Sequence, residues 1–314
     1  MTDRSSRFQG CLLGLAIGDA LGMPFEFLSP EQIDWRLQGD FDFHPAHSAV
    51  SGNLRTGQWT DDTKMALCIV DSLLECGRVD GAHIASKFLE WYRGGDLRGI
   101  GGTTADACGH LDRGAPWTES GKRGEMAAGN GAAMRIAPVG LWHARGVEGL
   151  MQHVETATIS THNNAEAVRG AAAVAFAVAR AAAGELDPAS LVRETCEFIG
   201  PCRTAEKLRE AQALRSERTD WRSALARLGT GGYVVDTVGS AFFCLLTWPD
   251  NYARGVEAAV RAGGDTDTTG AVAGALIGAN VGLPGIPERW LERVEDGPRI
   301  AELARRLCGR SPAE

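Results

Sequence analysis

Apolar positions along this chain recur at three- and four-residue spacing far more often than they alternate. Phe8, Cys11, Leu12 and Leu15 mark one face of a first helix, which the pattern ends near Asp19. Helical patterns follow at 61–76 (Met65, Ile69, Leu73), 82–93, a short stretch through Leu111, 147–158 and an Ala-rich run at about 165–183. Others run from Asp187-Pro188 to Ile199, then cover 204–216, 220–228, 233–248, 252–261, 271–279 and a tail at about 287–307. The Arg-rich amphipathic segments 204–216 and 220–228 read as a solvated outer face. β-branched residues are sparse and period-two alternation is rare. The expectation is an all-α protein in one domain, 1–314, without linker, low-complexity tract or internal repeat.

Breaks in the periodicity are as informative. Pro24 in Met23-Pro24-Phe25-Glu26-Phe27 makes helix continuation unfavourable and puts Glu26 on an irregular segment. Residues 28–57 show little periodicity and read as a long loop, a candidate lid. Residues 112–128 are polar and loop-like, and Gly229 to Gly232 is a flexible joint. Gly99-Ile100-Gly101-Gly102-Thr103-Thr104 is a glycine-rich turn of a kind too common to mark a phosphate loop by itself; Gly129-Asn130-Gly131-Ala132-Ala133-Met134-Arg135 would let a ligand approach the backbone, though taken alone it reads first as tight helix packing. His162, in Ser160-Thr161-His162-Asn163-Asn164, reads first as a capping or core histidine.

The chemistry concentrates in Gly263-Gly264-Asp265-Thr266-Asp267-Thr268-Thr269-Gly270, which opens the apolar run 271–279. Peptide dipoles favour acids in a first helical turn, so one Asp is explained as a cap. Two Asp at alternate positions, with Arg261 the nearest base, repel unless a cation joins them. Trp59-Thr60-Asp61-Asp62-Thr63 repeats the arrangement before another apolar helix. All donors are oxygens, which suits Mg²⁺ or Mn²⁺ better than zinc. Spacing alone leaves open whether the two helix starts share one site.

Composition narrows the partners. Of 314 residues, 44% are hydrophobic and 23% charged, enough for a sizeable core, and the net charge is −8 with no basic run. That argues against nucleic acid or an anionic membrane surface as the main partner. The eight cysteines form no C-x-x-C pair and read as reduced core residues of a cytoplasmic protein. The apolar run 11–17 is too short for a signal peptide, and no stretch approaches the ~20 residues of a membrane span.

Taken together and in order, Gly18-Asp19-Ala20-Leu21-Gly22 with Glu26, Thr60 to Thr63, Gly129 to Arg135, Thr161-His162, Tyr233 to Thr237 and Gly263 to Gly270 resemble the ADP-ribosylglycohydrolase family, most closely its arginine-directed bacterial members. The likeness runs from about residue 8 to 294. It implies a compact orthogonal helical domain with a cleft holding two divalent cations, Mg²⁺ or Mn²⁺. It implies Thr60, Asp61, Asp62, Asp265, Asp267 and Thr268 as metal ligands. Glu26 is implied as the catalytic acid/base, with Asp61 and Asp267 acting in catalysis through the metals. Asn130, Gly131, Ala132, Met134 and His162 would line the phosphates and ribose, Tyr233 the adenosine side, and Glu125 would match an acidic position of the arginine-directed members. One departure is that Gly99 and Gly102 stand where those members carry an Asp and an Asn; Asp96 is a possible substitute. The implied activity is removal of ADP-ribose from modified acceptors, arginine on proteins first. Serine, O-acetyl-ADP-ribose and nucleic-acid ends stay open, as does a non-catalytic binding or inhibitor role on the same fold. A monomer acting on ADP-ribose and ADP-ribosylated protein is expected.

Overall fold

A computed structural model describes residues 3–39, 41–46 and 54–312. Sixteen α-helices follow one another among them, and no strand. They are α1 (Arg4–Gly22), α2 (Pro30–Leu37), α3 (Asp61–Cys76), α4 (Gly81–Gly94), α5 (Gly102–Asp112), α6 (Ala137–Trp142), α7 (Leu150–Thr158) and α8 (Ala165–Ala183). Then come α9 (Leu191–Ile199), α10 (Arg203–Ser216), α11 (Trp221–Leu228), α12 (Val234–Thr247), α13 (Tyr252–Arg261), α14 (Thr266–Val281), α15 (Glu288–Leu291) and α16 (Gly297–Arg310). Short 3-10 turns at Met23–Phe25, Glu125–Ala127, Asn130–Ala132 and Leu283–Gly285 join them. The all-α expectation holds.

The centre of the molecule is the pair α1 and α14. Gly10, Gly14, Gly18 and Gly22 recur every four residues and form one stripe down α1. A Cβ at these positions would stand 2.3, 2.4, 2.1 and 2.2 Å from the carbonyl oxygens of Gly278, Gly274, Gly270 and Thr266. The two helices therefore run antiparallel with backbone against backbone, a contact that only hydrogen side chains permit. Every residue of α14 from Thr266 to Ala279 is buried, as an element apolar all round requires.

Four other boundaries differ from the expectation. The first helix does not end at Asp19; it runs on to Gly22, because Asp19 is an interior residue whose carboxylate is used elsewhere in the fold. The stretch read as loop 28–57 contains α2, held by a reciprocal Ser29–Gln32 capping box with Pro30 in its first turn; residues 40 and 47–53 lie outside the described residues. The helix α6 was not anticipated, being six residues with a proline in its first turn. The tail is two helices, since Asp296 adopts a left-handed conformation (φ 56°) between them.

The stretch Arg4–Phe25 is, by length and composition, apolar enough to cross a membrane, contrary to the expectation that none is. Of its most apolar window, 94% is buried inside the protein, so its apolar surface is consumed by the core. All eight cysteines are unpaired.

Candidate active site

Seven of the sixteen α-helices carry a side-chain N-cap of their own; among them Asp80 accepts from His83 N, Asn164 from Glu166 N and Ala167 N, Asp220 from Ser223 N. The helices that begin with the acid clusters do not. Neither Thr60 before α3 nor Asp265 before α14 makes a capping bond with its side chain. The donors of α3 are satisfied from a distance, by Asp19 of α1. Its carboxylate accepts from Thr60 N (2.9 Å), Thr63 N (3.1 Å), Thr60 Oγ1 (2.9 Å) and Thr63 Oγ1 (2.6 Å). Asp61 and Asp62, released from capping, are left to face inward with α3's first turn.

The start of α14 is brought to the same place by the glycine contact with α1. Gly263 and Gly264 adopt φ of 76° and 75°, which turns the chain into α14. Phe27 N donates to Gly264 O (2.7 Å) and Gly264 N to Leu28 O (3.0 Å), tying the segment that bears Glu26 to that turn. Asn130 Nδ2 donates to Asp265 Oδ2 (2.8 Å) and to Thr237 Oγ1 (2.9 Å), tying in the second glycine-rich turn.

One cavity of about 220 Å³ results. Glu26, Asp61, Asp62, Asp265, Asp267 and Thr268 line it, together with Asn130, Gly131, Met134 and His162. Gly99, Gly101, Gly102, Phe27 and Gly232 also border it. Larger depressions of about 540 and 600 Å³ exist elsewhere, one at Arg4, His143 and Arg180, the other at Arg215, Trp221 and Trp248, without a comparable acid cluster. Chemistry, not size, singles out the smaller one. Four of the anticipated residues are not on its wall. Thr60 is buried behind it, bonded to Asp19 and, at 3.4 Å, to Asp62 Oδ2. Ala132 is fully buried, Glu125 is exposed, and the Tyr233 hydroxyl accepts from Arg203 at 3.4 Å. Asp19 is the functional residue that sequence reasoning quoted without giving a role. A carboxylate on the apolar interior of a helix, with no basic residue within a turn of it, was the available signal.

Electrostatically the cavity is a cluster of mutually repelling buried acids. Burial, reinforced by the neighbouring acids, pushes Asp61, Asp62 and Asp267 well above the usual carboxylate range. The leading influences on all three are burial and other acids, and no salt bridge joins any of them to a base among the described residues. Burial, then Asp265 and Asp19, raises Glu26 to about 7. Asp62 Oδ1 is buried without a hydrogen-bond partner. Orphaned acceptors, crowded anions and an all-oxygen donor set fit a hard divalent cation. No three acidic, His or Cys side chains among the described residues converge closely enough to hold an ion by themselves. The donor chemistry fits, then, while a closed cage is not formed.

A family model described as ADP-ribosylglycohydrolase matches residues 1–314. An uncharacterized protein of Archaeoglobus fulgidus is 35% identical, over 96% of this chain and 95% of that one. The ADP-ribosylarginine hydrolase Tri1 of Pseudomonas putida is 31% identical, over 98% of this chain and 79% of that one. Among solved structures, an ADP-ribosylglycohydrolase-related protein complex superposes with a TM-score of 0.74 at 29% identity, covering 99% of this chain and all of that one. On the family match, the identities and the shared fold, the chain belongs to the ADP-ribosylglycohydrolase family.

Proposed function

We propose that the protein is a divalent-metal-dependent hydrolase of ADP-ribosyl linkages, with ADP-ribosyl-arginine on proteins as the leading substrate class. The observation that carries this reading is the meeting of two acid-bearing helix starts, Glu26 and the Asn130–Gly131 turn on a single cavity. Asp61 and Asp62 on one side, and Asp265, Asp267 and Thr268 on the other, are the residues that would hold two Mg²⁺ or Mn²⁺ ions, with Thr60 behind them, 3.4 Å from Asp62 Oδ2. When bound, such ions polarise ribose hydroxyls or a water and offset charge that develops at the reacting centre. Glu26, on the cavity wall, would hold and move the proton between water and leaving group. Gly131 lets a pyrophosphate approach the backbone, and the cavity is tight there: a Cβ on Gly131 would meet His162 Cε1 at 2.6 Å. Met134 closes the apolar part of the wall. Mounting the acids on first turns of buried helices holds them rigidly, which small cations require.

The arginine assignment draws on the activity named for the Pseudomonas putida relative. A specific observation favours a second acceptor class. At position 99 an Asp would not fit, because Gly99 has φ 78° and a Cβ there would lie 2.7 Å from Thr60 Cβ and 2.8 Å from Asp61 Oδ1. Glu125 is exposed and off the wall. No acid beyond those given to ions and proton transfer lines the cavity, so an uncharged linkage, to serine or an ester, suits it as well.

The test is a panel of ADP-ribosylated arginine, serine and O-acetyl compounds, each assayed with Mg²⁺ and Mn²⁺. Free ADP-ribose is expected from arginine, and Asp61→Ala or Asp267→Ala should reduce release at least a thousandfold. Undiminished release in excess chelator sinks the metal dependence. Release from serine alone moves the assignment to the second class.

A further inference from the structure

Directly behind the cavity wall lies Arg135, fully buried, near enough to Asp61 to feel its charge but hydrogen-bonded to no carboxylate. Its guanidinium sits over the Phe88 ring, 4.7 Å from the centroid. Nη1 donates to Gly131 O (3.0 Å), and Nη2 to Thr161 Oγ1 (2.6 Å) and Ala157 O (3.4 Å). Nε is buried with no partner at all. Burying an unpaired cation is costly, and tying 131, 157 and 161 together could be done by a neutral amide. What a neutral group would not do is polarise the Thr161 hydroxyl.

Thr161 Oγ1 stands 2.8 Å from His162 Nδ1 and 3.5 Å from Thr158 O. With its lone pair taken by a cationic donor, the hydroxyl is a better donor and a poorer acceptor. Its proton therefore goes to the nearer acceptor, Nδ1, and the ring proton must sit on Nε2. That nitrogen lies against the two glycines of the turn: a Cβ on Gly131 would be 3.0 Å from it and one on Gly129 3.3 Å. His162 lines the cavity, and no hydrogen bond engages Nε2 among the described residues. Burial, then Arg135 and Lys122, pushes the imidazole down to about 3, so the ring stays neutral.

We propose that Arg135 is a positioning residue: through Thr161 it locks His162 as the neutral Nε2–H tautomer, which presents one directed proton to an acceptor oxygen of the ADP-ribosyl substrate. The second half of this inference rests on the function proposed above, whereas the tautomer lock does not. Arg135 is not a catalytic residue; it acts only through the hydroxyl and the ring.

The test uses the full chain with ¹⁵N-labelled histidine. Long-range ¹H–¹⁵N spectra of the ligand-free protein should show His162 as Nε2–H between pH 5.5 and 8, without protonation. Thr161→Val, close to isosteric, should give mixed tautomers and weaken ADP-ribose binding about tenfold, while Thr161→Ser restores both. Arg135→Lys, which keeps the charge but loses the fork to Gly131 and Thr161, should weaken binding with kcat nearly unchanged. A wild-type His162 that is Nδ1–H, or that protonates near pH 6.5, overturns the lock. So does Thr161→Val keeping the Nε2–H tautomer. A locked ring in a protein that neither binds ADP-ribose nor hydrolyses the panel leaves the lock standing and refutes its role in substrate binding together with the proposed function.

Discussion

Asp19 accepts four hydrogen bonds from two threonines about forty residues away in the chain, and it does so from the last turn of an apolar helix. Replacing it by Asn keeps the shape but turns one acceptor into a donor facing an N–H. Asp19→Asn is expected to lower stability by about 1–3 kcal/mol, measured by chemical denaturation, and to depress hydrolysis more steeply because Asp61 and Asp62 lose their placement. Single residues were unevenly legible in the sequence. Asp61, Asp62, Asp265 and Asp267 announce themselves, because clustered acids without nearby bases have few structural uses. Asp19 does not, since its partners Thr60 and Thr63 belong to another element and no local pattern relates them. Arg135 was read only as the end of a glycine-rich turn; that it is buried with no carboxylate hydrogen-bonded to it is a fact of three dimensions.

Among the elements, α1 and α14 decide the geometry of the site. Their glycines let the axes approach until Gly22 lies against Thr266, which sets Glu26 opposite the first turn of α14. Gly18→Ala places a methyl 2.1 Å from Gly270 O and must push the helices apart, since every near atom is backbone. A loss of about 3 kcal/mol or more is expected, at the upper end of overpacking costs, with activity falling alongside. The matched control is Gly309→Ala in α16, where a Cβ meets nothing within 4 Å and the better helix former should add about 0.5–1 kcal/mol. Thermal melts of the two variants should move in opposite directions. Long periodic helices such as α8 and α12 were legible because burial imposes a 3.6-residue period. The short α2 and α6 were not, as six to eight residues with proline in the first turn give too few periods to register. The α1–α14 pairing left its mark in plain sight as a four-residue glycine spacing, but only contact explains it.

At the scale of the whole molecule, the C-terminal region is stitched to the approach of α3. Glu295 takes hydrogen bonds from Gln58 Nε2 (2.8 Å) and Arg98 Nη1 (2.8 Å), while its backbone carbonyl accepts from Trp59 Nε1 (2.9 Å). Asp42 bonds Arg293 Nη1 (2.6 Å) and Trp290 Nε1 (3.0 Å). Burial raises Asp42, but Arg293, Phe43 N and Trp290 outweigh it and leave the carboxyl below its ordinary range. A group lowered on folding adds stability above its unfolded pKa and loses it as pH falls through the folded value. Asp42→Asn should therefore cost about 1 kcal/mol at pH 7 in urea titrations, and the gap to the parent should close as the pH falls below the ordinary carboxylate range. Helical class and single-domain character were legible from periodicity and the lack of linkers. Which distant segments meet was not, because hydrogen bonds between residues more than two hundred positions apart leave no period in a sequence. The glycine-faced pair has a last consequence, for biosynthesis. About 240 residues separate Gly22 from Thr266, so at roughly 5–20 residues per second the first partner leaves the ribosome some tens of seconds before the second exists. Through that interval an apolar helix with a bare backbone groove waits unmatched, an aggregation-prone surface until α14 is made.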